Sequence, residues 1–167
     1  ISNLGNEAIT LNDTSLAIAT LNTLNGNTTG VINANTVTTL TGAAATMNTV
    51  YTAAGNGEIT NLGNEAITLD DTTLAIATLN TLNGNTTGAI DAATVTTLTG
   101  ATATINSIYA AGNSEVSGLG NEAITIDDTS LAIATLNTLN GKTTGVINAN
   151  SVNTLTGAAA TMNTVYT

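Results

Sequence analysis

The sequence predicts an α/β fold, a repeat solenoid of about 58 residues per repeat, each repeat built of two half-units of short parallel strands plus one helix. Three observations predict it. Long strings recur at a nearly fixed spacing. Stretches rich in Ala, Leu and Thr carry apolar residues at helical intervals. Short β-branched segments lie between them, bounded by Gly, Asn and Asp.

The recurrence comes first, because a missed repeat misassigns the whole fold. LGNEAIT occurs at residues 4–10, 62–68 and 119–125, and LAIATLNTLNG at 16–26, 74–84 and 131–141. Leu4 to Leu62 is 58 positions and Leu62 to Leu119 is 57. The one-residue loss falls between Tyr109 and Glu115, in a Gly/Asn segment where a loop tolerates it. Three copies fill the chain as one continuous solenoid: 1–58, 59–115 and a shorter third, 116–167. The chain starts without Met and stops inside a motif, so it reads as a piece of a longer array.

Each copy contains an inner half-repeat. A slide of 26 positions lays residues 19–24 (ATLNTL) on 45–50 (ATMNTV). In the second stretch Ala43, Met47, Val50 and Ala54 share one helix face; in the first, Ala17, Leu21 and Leu24 form the same stripe with Ile18 beside it. Asp13 before the first helix and Thr41 before the second read as N-caps, and Gly26 and Gly55 as C-cap glycines. Helices are expected to start near Asp13, Thr41, Asp71, Thr99, Asp128 and Thr156. Thr is stiff at χ1 and a weak helix former, so these helices depend on packing.

The strand candidates are residues 31–34 and 36–40 before one helix, and 59–62 and 66–69 before the next. A half-unit therefore reads as two strands and a helix, too small to close its own core, so it must stack on its neighbours. Strands pair at about 4.8 Å, whereas helix axes need about 8–10 Å. Two strands per helix relieve that mismatch and predict a straight rod.

Composition excludes most chemistry. The chain has no His, Cys, Trp, Phe or Pro; Lys142 is its one cation against 11 Asp and Glu, a net charge of -10. Neither the usual zinc, haem or iron–sulfur ligand sets nor a Ser–His–Asp triad can be assembled, so the chain is read as no enzyme, with no catalytic, cofactor-binding or metal site. One cation cannot neutralise a phosphate backbone, which rules out nucleic acid. No apolar run approaches the roughly 18 residues of a membrane span, so membrane insertion is not expected, and the residues after Ile1 do not resemble a signal peptide.

The strings LGNEAITLDDTTLAIATLNTLNGNTTGAIDAATVTTLTG (62–100) and TGAAATMNTVYTAAG (41–55) resemble the tandem arrays of very large repeat-rich cell-surface proteins of marine cyanobacteria and other bacteria. The likeness covers the whole chain. It implies a secreted, extracellular or cell-surface location and a structural or adhesive role, and it brings no catalytic residues.

The recurring polar positions are the remaining candidates. Glu7, Glu65 and Glu122 stand in LGNEAIT; Asp13, Asp71 and Asp128 precede a helix, with Asp70 and Asp127 beside two of them. Calcium takes such oxygen ligands, but no EF-hand or nonapeptide spacing occurs, and Asn12 replaces the first acid of the pair, so helix capping is the preferred reading. Tyr51, Tyr109 and Tyr166, one per copy, are expected to cover the apolar stripe of the second helix. Thr36-Val37-Thr38 and Thr94-Val95-Thr96 suggest an ice-binding rank, which Ser151-Val152-Asn153 breaks. The glycan-acceptor patterns at Asn12, Asn27 and Asn85 read as turn chemistry.

The differences between copies favour a scaffold. Positions 31–36 vary (Val31, Ala89, Val146; Asn33, Asp91, Asn148), while the helix stripe changes only between Met47, Ile105 and Met162 and between Val50, Ile108 and Val165. The expected function is a non-enzymatic structural segment of a rod or filament, with itself as partner through head-to-tail stacking. The alternative is a calcium-dependent adhesin or an ice-binding module.

Overall fold

The computed structural model describes residues 4–112 and 114–166. Residues 1–3, Asn113 in the segment with the one-residue loss, and Thr167 lie outside the described residues. The chain is an α/β fold with parallel strands in several sheets and six helices among the described residues; no sheet closes into a barrel.

The first copy supplies β1 (Ile9–Thr10), β2 (Ser15–Ala17), α1 (Ile18–Asn27), β3 (Ile32–Asn33), β4 (Thr39–Gly42) and α2 (Ala44–Gly55). The second supplies β5 (Ile59–Thr60), β6 (Ala66–Leu69), β7 (Thr73–Ala75), α3 (Ile76–Asn85), β8 (Ile90–Asp91), β9 (Thr97–Gly100) and α4 (Thr102–Ala111). The third supplies β10 (Val116–Ser117), β11 (Ala123–Ile126), β12 (Ser130–Ala132), α5 (Ile133–Asn140), β13 (Ile147–Asn148), β14 (Thr154–Thr156) and α6 (Ala159–Asn163).

Strand residues alternate between core and solvent, as a pleated backbone requires. In β6, Ile67 and Leu69 are buried while Ala66 and Thr68 face water. The inward residues stack in parallel register from strand to strand: Leu16, Leu40, Ile67, Ile90 and Val116 form one ladder, and Leu74, Leu98, Ile124 and Ile147 another. Helix residues such as Ile76, Leu79 and Leu82 close the core from the other side. Exposed Thr residues are accommodated in the helices by bonding to the carbonyl one turn back, as Thr23 does to Ala19 and Thr81 to Ala77.

The structure corrects the local reading in three places. First, the half-units are unequal: β5, β6 and β7 precede α3, but only β8 and β9 precede α4. The strand at 73–75, like its equivalents at 15–17 and 130–132, was expected to be part of the helix. The helices begin three to five residues later than their expected starts, at Ile18, Ala44, Ile76, Thr102, Ile133 and Ala159.

Second, the expected caps do not serve the helices expected of them. The N-cap residues are Ala17, Ala43, Ala75, Ala101, Ala132 and Ala158, none with a side-chain bond, and Thr41 lies in β4. Gly26 and Gly55 fall inside α1 and α2, whose C-cap residues are Thr28 and Asn56. Asp13, Asp71 and Asp128 are separated from the next helix by β2, β7 and β12, so they cannot reach its first turn.

Third, the straight-rod expectation loses its basis, because the strands of a half-unit lie in different sheets. The sheets run β1-β3-β5, β10-β8-β6-β4-β2, β13-β11-β9-β7 and β12-β14. Each sheet gains one strand per helix, so the second strand does not relieve the spacing mismatch. The pairing also slips. Leu16 leads through Leu40 to Ile67, 51 positions on, whereas the sequence repeats after 58. The ladder therefore moves back one strand within each copy. The extra strand of the longer half-unit takes up the difference: β6 pairs with β4 on one side and β8 on the other, while β7 starts a new sheet with β9.

Glycine at one recurring position is dictated by this packing. A Cβ on Gly88 would overlap the carbonyl oxygen of Glu65, as one on Gly30 or Gly145 would overlap that of Glu7 or Glu122, so only glycine lets the TTG turn close on the LGNE loop.

Leu79, on the inward face of α3, is fully buried. Replacing it with Asp puts an unpaired carboxylate into that core, and Leu79→Asp is expected to cost about 4 kcal/mol or more. A thermal melt within a degree or two of the parent would overturn the assignment of this helix face.

Candidate functional site

The recurring polar residues converge where one sequence copy meets the next. The site begins with a local fold-back. In Leu-Gly-Asn-Glu, Gly63 stands two residues before Glu65 and donates its N–H to Oε1 and Oε2 at 3.2 and 2.9 Å. The carboxylate is thereby turned inward and is only 1% exposed. A carboxylate this dry needs further donors, and one comes from the preceding copy. The Tyr51 hydroxyl of α2 donates to Glu65 Oε2 at 3.0 Å. At the second junction Gly120 donates to both Glu122 oxygens at 2.9 Å, and the Tyr109 hydroxyl of α4 donates at 2.7 Å.

Burial pushes both phenols well above the ordinary tyrosine range. The charge of Glu65 adds to this at Tyr51, and the bond to Glu122 adds to it at Tyr109. Hydrogen bonds with Thr86 and Thr143 act in the opposite direction.

A second bond caps a helix across the same junction. Asp71 Oδ2 accepts the N–H of Ala44, the first residue of α2 and 27 positions earlier, at 2.8 Å. Asp128 Oδ2 accepts the Thr102 N–H at 2.8 Å and its hydroxyl at 2.6 Å at the start of α4. The sequence reading therefore found capping carboxylates but assigned them to the wrong helix. Each serves the helix before it, where the free N–H groups and the dipole favour a negative charge.

A third set joins helix to helix. Asn48 Nδ2 donates to the Thr78 carbonyl at 3.0 Å, and Asn106 Nδ2 to the Thr135 carbonyl at 3.2 Å. At the first junction the contact is returned: Asn85 Nδ2 donates to Asn48 Oδ1 at 3.1 Å. The residue equivalent to Asn85 in the third copy is Lys142, an ammonium that points into solvent. Asn106 Oδ1 is buried there without a hydrogen-bond partner, and α5 stops at Asn140, two residues short of the length that α3 reaches.

The other candidates are engaged locally. The Thr36 and Thr38 hydroxyls donate to the carbonyls of Leu11 and Thr14, and Thr94 and Thr96 repeat this on Leu69 and Thr72. That rank stitches coil to coil. Thr28 and Thr86, within two of the glycan-acceptor patterns, accept the N–H of Gly30 and Gly88 in tight turns. Asp70 and Asp127 are exposed. Among the described residues no three acidic side chains converge as a metal site would require, and no helix is long and apolar enough to cross a membrane.

The Tyr–Glu pairing itself was missed. Its signal is present: one Tyr and one LGNE glutamate per copy, 14 positions apart at the first junction and 13 at the second. No family model matches the chain, and neither a curated protein nor a solved structure does.

The raised tyrosine values set a pH dependence. An unfolded tyrosine ionises near pH 10, and the folded ones ionise higher. The folded state therefore keeps this stabilisation below pH 10 and loses it as the pH rises toward the folded values. Stability is expected to be flat from neutral pH to about 10 and to fall above it. In a Tyr51→Phe, Tyr109→Phe double variant that alkaline slope disappears, and the neutral-pH plateau drops by about 1.5–3 kcal/mol for each lost bond to a carboxylate. Denaturant titrations at stepped pH measure both.

Lys142→Asn restores the amide that Asn85 supplies at the first junction. It is expected to raise stability by about 1 kcal/mol or more by satisfying Asn106 Oδ1, and Asn85→Lys should lower it comparably. Equal melting temperatures for all three proteins would overturn this account.

Proposed function

We propose that the chain is a non-enzymatic structural segment: a repeat solenoid of about 58 residues per repeat, in which 1–58, 59–115 and 116–167 stack as one rod of a giant extracellular or cell-surface protein. The observation that carries the reading is the recurrence of the junction. The phenol–carboxylate pair, the helix cap supplied by the following copy and the asparagine bond to the next helix join equivalent residues at both copy boundaries. The recurring bonds connect copies to one another, which is the arrangement a rod needs.

The work of such a segment is mechanical. Each added copy brings its own core, completes the polar groups of the copy before it and presents an equivalent surface to the copy after it, so length grows at nearly constant free energy per copy. The net charge of -10 keeps rods apart in water. The resemblance to bacterial cell-surface arrays supports the extracellular location. Head-to-tail self-association and the absence of a required cofactor, calcium included, belong to the same proposal.

Chains of one, three and five copies test it. Melting temperature is expected to rise with copy number and level off, and melts with calcium and with chelator should overlay. Equal melting temperatures for one and three copies would make each copy an independent domain and overturn the rod. A large loss of stability in chelator would move the function to a calcium-dependent module.

A further inference from the structure

The two ends of the described chain carry opposite halves of the junction that its interior repeats. At one end, Glu7 is hooked as its interior equivalents are: Oε2 accepts the Gly5 N–H at 2.7 Å and the Asn6 N–H at 3.1 Å. Yet this carboxylate is exposed, where Glu65 and Glu122 are buried against a tyrosine. Leu4 beside it is 67% exposed, whereas its equivalents Leu62 and Leu119 pack against the core. At the other end, Tyr166 is 78% exposed, against 8% for Tyr51. Val152, Leu155, Met162 and Val165 line an open groove with it, and their equivalents Val95, Leu98, Ile105 and Ile108 are buried.

We propose that these faces form a trans junction between molecules: the groove at Tyr166 receives the Leu4–Glu7 loop of a second molecule of this chain, and the Tyr166 hydroxyl donates to that molecule's Glu7. The inference rests on the rod reading above and names its partner contact. The occupant is specified by the interior, where Tyr51 with Glu65 and Tyr109 with Glu122 already join this groove to this loop. The acceptor is preorganised, since Gly5 and Asn6 hold the Glu7 carboxylate with no tyrosine bound, and little ordering is left for binding. The contact is heterologous: each molecule offers one groove and one loop, so the association elongates and does not stop at a dimer. In a chain with further copies the same faces meet in cis. The net charge of -10 opposes association at low ionic strength, and salt screens it.

The test is sedimentation velocity on the 167-residue chain over a wide concentration range at high ionic strength. Leu4→Asp blocks the loop face and Tyr166→Asp blocks the groove. Both residues are exposed, so each variant is expected to keep the parent circular dichroism and melting temperature. The parent should grow in mass with concentration, and each variant alone should stay a single chain. An equimolar mixture of the two retains one good groove and one good loop, and should form dimers and nothing larger. Tyr166→Phe, which removes only the hydroxyl, should weaken the parent's association about tenfold or more. A parent that stays a single chain, a blocked variant that still elongates, or a mixture that stays monomeric would each overturn the proposal. Failure here with a rising copy-number series leaves the rod intact; a flat copy-number series removes the rod itself.

Discussion

Polar groups that one sequence copy of this chain cannot satisfy alone are satisfied by its neighbour. Helices α2 and α4 start after an alanine that caps nothing, and their first N–H groups are held by Asp71 and Asp128 of the next copy. Glu65 and Glu122 are buried at a cost that their own glycine loops meet only in part, and tyrosines of the copy before complete the pairing. Breaking one junction therefore uncovers apolar surface, frees helix termini and strands two carboxylates at once. That coupling joins the copies without a disulfide, since the chain has no Cys.

The same dependence explains how so plain a composition folds to a defined register. Apolar ladders of Ile, Leu and Val keep the same face buried after a two-residue slip, and one aliphatic residue packs nearly as well as another. The polar bonds allow no such slip. Only glycine fits at position 88 against the Glu65 carbonyl, and the Asp71 carboxylate accepts the first N–H of α2. The pairing slips by one strand in each copy, and the three-strand half-unit absorbs the slip by ending one sheet and starting another. Parallel strands twist by about 20–25° from one to the next. Among the described residues the longest sheet has five strands, so that twist does not accumulate over the whole chain.

Lys142 shows how finely the pattern is drawn. One exchange of amide for ammonium at the end of α5 coincides with a shorter helix and an unpartnered buried oxygen on Asn106. The surrounding coil is otherwise unchanged in its backbone pairing, with β11 still in register with β13. Small departures between copies thus register as local defects in the junction and leave the stack intact.

The division between sequence and tertiary structure falls along the range of the forces involved. Periodicity is local. The strand at 66–69 and the buried stripe through Leu21 and Leu79 were legible because a turn of helix or a pleat of strand repeats within a few residues. The lack of His and Cys and the lone cation likewise bounded the chemistry before any coordinates. What the sequence alone left undecided was which groups meet. The short segments at 73–75 were indistinguishable from a helix start, and the capping role of Asp71 was visible while its helix was not. The pairing of Tyr51 with Glu65 spans 14 positions and two secondary-structure elements. These outcomes depend on how strand spacing, helix packing and the extra strand of each longer half-unit fit together. No window of sequence contains all three, so only the tertiary structure decides them.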